Sequence, residues 1–236
     1  MGITLGEVLD TTPFRSFPAS TLIIRPLSNP LYPASSLIVL HGNICKGGAV
    51  MKASASKDPR LLSHSGPAVV FRNSADLAQR LDDPNLEVTK DSVLVLQGIG
   101  AVGNPGMPEA GLIPIPRKLA AQGVTDMLRL SDGRMSGTAG GTIVLHISPE
   151  SVAPDSVFGV VKDGDIITCD VESRLLKLEV DEEEIRARLA EKESASAQAG
   201  HVWTDRMDRR GYRGLYERSV NQAEAGCDFD FLRAAK

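Results

Sequence analysis

Short apolar runs separated by glycine, proline and aspartate recur along the chain from residue 37 onward. Runs of this length between turn-forming residues are typical of a sheet built from many short strands. The pattern predicts strands at residues 37–40, 49–51, 68–71, 93–96, 142–147, 157–161, 166–169 and 175–180.

Helical patterns are fewer than strand patterns. Ser74 has the character of an N-cap before a helix at 76–81, residues 115–122 suit a second helix, and Asp181 with Glu184 resembles a capping box that opens a helix at 182–192. Strands outnumber helices and do not alternate strictly with them, so the sequence predicts a β-rich α/β fold. A mixed barrel or sandwich with peripheral helices is favoured over a doubly wound parallel sheet.

The two ends of the chain differ in composition from its middle. Residues 1–36 contain five prolines and are predicted to form an extended lead-in, because proline removes a backbone donor and favours extended geometry before it. Residues 37–192 form the predicted barrel-like domain. Residues 193–236 are predicted to be a linker and a docked tail, with a helix within 205–217 and an edge strand or plug at 226–232.

Charge and hydropathy exclude several classes of partner. The chain has 26 basic and 30 acidic residues and no clustered basic stretch, which disfavours nucleic acid. No apolar run approaches the roughly 20 residues that span a bilayer, and the first residues lack the pattern of an export signal. We therefore expect no membrane partner and a cytoplasmic location, while a mitochondrial location of a complete protein stays open.

Neither the cysteines nor the histidines have the spacing of metal ligands. Cys45, Cys169 and Cys227 form no Cys-x-x-Cys pair, so each is predicted to be a buried or indifferent thiol. The histidines are isolated in the sequence at His41, His64, His146 and His201.

Two glycine-rich segments are candidates for chemistry. The glycine loop, residues 98–111, has five glycines and one carboxylate, Glu109. Its backbone amides could approach an anion or turn inward as a nest, and the alternative is a long surface loop with an exposed glutamate. The serine loop, residues 131–141, frames Ser136 and Thr138 with glycines. A hydroxyl on such a turn suits a nucleophile or a base, and the alternative is a loop in which Asp132 and Arg134 pair locally.

Motifs along most of the chain resemble those of the dihydroxy-acid, phosphogluconate and sugar-acid dehydratases. They include Met107-Pro108-Glu109 and Ser136-Gly137-Thr138, and these two motifs together with the end of the chain, 226–232, are most similar to the pentonate, or sugar-acid, branch. The matching blocks are residues 24–30, 40–43, 48–52, 66–68, 103–109, 131–138 and 146–150.

The resemblance implies a fold and a reaction. The fold is the swivelling β-barrel-like domain with peripheral helices that forms the carboxy-terminal half of these enzymes. The reaction is dehydration of a 2,3-dihydroxy acid to a 2-keto acid, with Mg²⁺ and a [2Fe–2S] cluster as cofactors. Carried over by position, Ser136 is the catalytic base, Thr138 assists proton transfer, and Glu109 is a magnesium ligand.

The chain also departs from the family pattern. The cluster cysteines and further magnesium ligands belong to the amino-terminal half of the family, and no segment here matches them. The resemblance therefore implies a partner, namely a cluster-bearing domain or subunit, besides a small polyol-acid substrate. Two alternatives are a stand-alone module that binds a small acid or a protein, and a cluster-free proton-transfer enzyme.

The expected loss of a covering domain predicts an exposed apolar surface. It would comprise Ile99, Val102, Met107, Met135 and the aromatic residues Phe229 and Phe231. Because large apolar patches seldom persist on monomers, we expect a homodimer or a docked subunit at this face.

Overall fold

The structure is a computed structural model that describes residues 2–13, 25–31, 36–137, 140–199 and 210–232. The chain divides into two compact units, Met1–Ser35 and Ser36–Lys236. The first unit contains helix α1, Leu5–Thr11, within the stretch predicted to be extended. Thr4 and Glu7 form a capping box that satisfies the first amides of this helix, which explains why it forms ahead of the prolines.

The second unit is built on a closed barrel of eight strands, as the predicted β-rich fold requires. The strands are β1 (Leu37–Gly42), β2 (Cys45–Lys52), β3 (Ser63–Phe71), β4 (Val93–Leu96), β5 (Arg129–Ser131), β6 (Ile143–Ser148), β7 (Ile166–Asp170) and β8 (Leu175–Leu178). Their order around the barrel is β1-β2-β6-β5-β4-β3-β7-β8.

Four neighbouring strands, β3, β4, β5 and β6, run parallel to one another. All four residues of β4 are buried because both faces of the strand are covered. Val93 and Val95 face the barrel interior, whereas Leu94 and Leu96 pack in a second apolar cluster with Leu77 and other residues outside the barrel. A continuous apolar run is what a doubly covered parallel strand requires.

Four helices accompany the barrel in the described part of the second unit. They are α2 (Ser74–Arg80), α3 (Arg117–Ala120), α4 (Glu182–Ala199) and α5 (Gly211–Ser219). Asn73, not Ser74, caps α2 by accepting from the Asp76 amide. Helix α4 continues through the stretch predicted to start the linker. No helix among the described residues is long and apolar enough to span a bilayer.

One predicted strand was wrong, and one observed strand was not predicted. The apolar run at 157–161 contains a buried 3-10 helix, Phe158–Val160, because burial alone does not distinguish a short strand from a short helix. Strand β5 was missed because two of its three residues, Arg129 and Ser131, are polar although all three are buried.

Candidate functional site

The glycine loop and the serine loop lie at the same end of the barrel. The glycine loop follows β4, the serine loop follows β5, and a third segment containing Glu150 follows β6. Since these strands are neighbouring and parallel, their carboxyl ends meet at one edge of the sheet. The topology therefore brings together three segments that are far apart in the sequence.

Arg134 joins the serine loop to the glycine loop. Its backbone oxygen accepts from the Gly111 amide at 2.8 Å, and its Nε donates to the Met107 oxygen at 2.5 Å. Its guanidinium also forms an ion pair with Glu109, with an N–O distance of 3.4 Å and both side chains about half exposed. Glu109 is thus held at an open surface beside the serine loop.

The predicted catalytic hydroxyls follow Arg134 directly. Ser136 is half-buried in the described part of the serine loop. Thr138 lies outside the described residues, so its predicted role stays a prediction. The structure therefore places Ser136 and Glu109 on two loops joined through Arg134.

Asp132 fixes the start of both loops from inside the protein. Its carboxylate accepts from the amide of Ile99 at 2.9 Å, and from the amide and the hydroxyl of Ser151 at 2.8 and 2.5 Å. The Gly98 amide donates to it at 3.3 Å. Asp132 is 1% exposed. The predicted local pairing of Asp132 with Arg134 is wrong, because each side chain has its partners in other loops.

Glu150 fills the turn of the glycine loop. Its carboxylate accepts from the amides of Val102 at 3.1 Å and Gly103 at 2.8 Å. A side chain at Gly100 would place its Cβ 2.5 Å from the Glu150 carboxylate, which explains the glycine at that position. Of the two predicted uses of the loop amides, the inward nest is the one observed, and the carboxyl group of Glu150 occupies it.

The tail, residues 210–232, covers the glycine loop. Ala101, Val102, Met107 and Val220 form a buried apolar cluster, against which Tyr216 packs. Ile99, Val102 and Met107 are 1%, 0% and 6% exposed, so the prediction that these three residues form an exposed apolar patch is wrong. Phe231 remains 60% exposed, and association with a second subunit stays a prediction.

Sequence reasoning missed the buried carboxylates that organise the site. Glu150 closely follows the apolar run of β6, and an acid at that position was the available signal. Asp132 follows β5, whose polar residues gave no such signal. His146 is isolated from the other histidines in the sequence, and its pKa is lowered by burial and also by the nearby charge of Arg134. Its backbone amide donates to the Gly133 oxygen at 3.0 Å, so β6 contacts the serine loop directly.

The described residues do not by themselves fit either implied cofactor. Within them, no group of three histidine, cysteine or acidic side chains could hold a metal ion. Cys45 and Cys169 belong to the barrel core, where burial raises the pKa of each thiol to about 12. Thiols that hold their protons so strongly are poor ligands, since thiolates bind metals.

Burial of Glu150 leads to a prediction about pH. Burial raises the pKa of Glu150, although hydrogen bonds from Gly103, Gln222 and Val102 oppose this. When the pKa of a carboxyl group is higher in the folded than in the unfolded protein, its protonation stabilises the folded protein. This contribution is complete below the unfolded pKa of about 4.3 and is lost as pH rises through the folded pKa.

The quantity to compare is the gap between the free energies of unfolding of wild type and of Glu150→Gln. We expect wild type to be the more stable of the two at about pH 4 and this gap to narrow as pH rises to about 8. The gap should narrow by about 1.4 kcal/mol for each tenfold decrease in the acid dissociation constant on folding. Urea denaturation of both chains at several pH values measures the gap. A gap that widens with rising pH would contradict the prediction.

Comparison with known proteins relates this chain to dehydratases. Residues 22–227 match the sequence model described as dihydroxy-acid/6-phosphogluconate dehydratase, C-terminal. The chain is 47% identical over 217 residues to a 6-deoxy-6-sulfo-D-gluconate dehydratase of Pseudomonas putida, covering 91% of this chain and 36% of that protein.

Two further relatives extend the comparison. An L-arabonate dehydratase of Azospirillum brasilense is 42% identical over 210 residues, which is 89% of this chain and 35% of that protein. A mitochondrial dihydroxy-acid dehydratase of Aspergillus fumigatus is 37% identical over 229 residues, which is 97% of this chain and 36% of that protein. The chain thus spans about a third of the length of these relatives.

Proposed function

Because the chain belongs to the dihydroxy-acid/6-phosphogluconate dehydratase family through its carboxy-terminal domain, we propose that it forms the substrate-side part of a hydro-lyase. The reaction is the loss of water from a 2,3-dihydroxy acid, which gives a 2-keto acid after the enol tautomerises. The observation that carries the proposal is the contact of Arg134 with Glu109, because it holds a carboxylate and the serine loop together at an open surface.

Ser136 is the proposed base that takes the proton from carbon 2 of the substrate. An ordinary serine hydroxyl is too weak an acid to supply an alkoxide, so its ionised form needs nearby positive charge. Arg134, two residues before Ser136 in the same loop, is the proposed source of such a charge within this chain. Ser136 is half-buried, so a substrate could reach it while water is partly excluded.

Glu109 is the proposed contribution of this chain to a magnesium site. Its side chain is half exposed, and its partner Arg134 is held in place by separate bonds to Met107 and Gly111. One carboxylate is too few for a cation that prefers six oxygen ligands. We therefore propose that the other ligands, and the cysteines for a [2Fe–2S] cluster, come from a second domain or subunit that docks over these loops.

A sugar acid is the proposed substrate class. In support, the relatives at 47% and 42% identity have names that refer to a sulfo-gluconate and to arabonate, and both are polyol acids. The relative named as a dihydroxy-acid dehydratase is less similar, at 37% identity. A panel of four-, five- and six-carbon aldonic acids would test the preference.

Glu109→Gln is expected to weaken activity and magnesium dependence together. The test combines the chain with the cluster-bearing domain of a close relative and follows 2-keto acid release while Mg²⁺ is titrated. Since an amide keeps the shape of the side chain but removes its charge, the Mg²⁺ concentration for half-maximal activity should rise about tenfold or more. Glu172→Gln, an exposed change in the loop between β7 and β8, is the control. An unchanged magnesium titration of Glu109→Gln would reject the assignment.

A further inference from the structure

The side chain of Gln222 in the tail forms a matched pair of hydrogen bonds with Glu150. Its Oε1 accepts from the Glu150 backbone amide at 2.8 Å, and its Nε2 donates to Glu150 Oε1 at 2.7 Å. An amide offers one acceptor and two donors on the same group, so Gln222 satisfies both partners at once. This fixes the side-chain conformation of Glu150.

Glu150 transmits this constraint to the glycine loop. The carboxylate that accepts from Gln222 also accepts from the amides of Val102 and Gly103. It is 3% exposed and lies so close to the loop backbone that a Cβ at Gly100 would be 2.5 Å from it. A displacement of the Glu150 side chain therefore requires the loop to move or its amides to lose their acceptor.

Other contacts hold the tail without involving Glu150. The Ser148 hydroxyl donates to the Glu224 carboxylate, and the Cys227 thiol approaches the Met107 sulfur at 3.5 Å. These contacts dock the tail on β6 and on the far part of the glycine loop. Removing one of these contacts weakens the docking of the tail but keeps the hydrogen bonds between Gln222 and Glu150, so the two effects can be measured separately.

We propose that Gln222 is a positioning residue that acts through Glu150 to set the conformation of the glycine loop, and hence the position of Glu109. The importance of Glu109 rests on the proposed function, whereas the coupling between Gln222 and the loop does not. The tail is then part of the active-site scaffold and not only a cover for apolar side chains.

Hydrogen exchange of the 236-residue chain tests the coupling directly. In Gln222→Ala, the amides of Val102 and Gly103 should exchange at least about tenfold faster than in wild type, because their acceptor is no longer fixed. Ser148→Ala removes a docking contact that does not pass through Glu150 and should accelerate these two amides much less. Asp230→Asn, an exposed change in the same tail, is the control and should leave them unchanged.

Gln222→Glu separates positioning from simple loss of structure. A protonated carboxyl group can replace both bonds of the amide, whereas two ionised carboxylates in one buried site repel each other. Relative to wild type at the same pH, the two loop amides of this variant should be protected near pH 5 and exchange at least about tenfold faster near pH 8. Gln222→Ala should show no such recovery at low pH.

Each outcome decides the proposal. Equal acceleration in Ser148→Ala and Gln222→Ala, or exchange in Gln222→Glu that does not depend on pH relative to wild type, would overturn the role of Gln222. Because these measurements need no catalysis, the coupling can stand even if Glu109 proves to have no part in the reaction. If the coupling holds and the assembled enzyme is active, Gln222→Glu should also recover kcat at low pH relative to Gln222→Ala.

Discussion

Replacement of Ser136 by alanine is expected to lower kcat by about a thousandfold in the chain assembled with a cluster-bearing domain, while KM changes little. A positioned base contributes roughly 10²- to 10⁴-fold to the rate, and it acts mainly in the transition state. The measurement is steady-state release of 2-keto acid from a sugar acid that wild type accepts.

Two controls make this result specific. Ser173→Ala changes an exposed serine in the loop between β7 and β8 and should leave kcat unchanged. A thermal melt should show that Ser136→Ala keeps the fold. A decrease of kcat smaller than about threefold in a folded Ser136→Ala variant would reject Ser136 as the base and favour the alternative of a binding module.

Among the variants proposed for this chain, Asp132→Ala is expected to lower the free energy of unfolding most, by about 3–5 kcal/mol. The Asp132 carboxylate accepts from amides of the glycine loop and from Ser151, and its removal leaves buried donors at Ile99 and Ser151 without that acceptor. Burial raises the pKa of Asp132, and these donors oppose that effect by stabilising the charged form. Urea unfolding of the chain measures the loss, provided that the slope with denaturant is unchanged.

Matched variants identify the cause of this loss. Asp132→Asn keeps one oxygen acceptor and should lose less stability than Asp132→Ala. Asp91→Ala removes a carboxylate that is about 60% exposed and pairs with Lys90, so its effect should stay within about 0.5 kcal/mol. A loss below about 1 kcal/mol in Asp132→Ala would show that the loops do not depend on this carboxylate.

The amino-acid pattern predicted much of the barrel because strand β4 and the buried parts of β3 and β7 are local apolar runs. It failed at β5, where Arg129 is buried only because it pairs with Asp126 at 2.7 Å and donates to the Ile113 oxygen. Neither the burial nor the pairing of a charged residue can be predicted from a short stretch of sequence, because both depend on residues brought close by the fold.

The candidate site likewise has a part that was predictable from local sequence and a part that depends on the fold. Motif resemblance selected Glu109 and Ser136 as candidate residues, since the order of residue types within a loop is a property of the sequence itself. The position of Glu109 beside the serine loop was not predictable, because it depends on Arg134, which lies 25 residues further along the chain.

By itself, the sequence determined the family, the β-rich fold and the residue types available for chemistry. Tertiary structure alone decided which groups face solvent and which are buried and hydrogen-bonded inside the protein. Glu150 accepts from an amide 48 residues before it and from a side chain 72 residues after it, so its function as an internal hydrogen-bond acceptor arises only when parallel strands and the tail converge. The physical reason is that desolvation and hydrogen bonding act between neighbours in space, whereas the sequence records only neighbours along the chain.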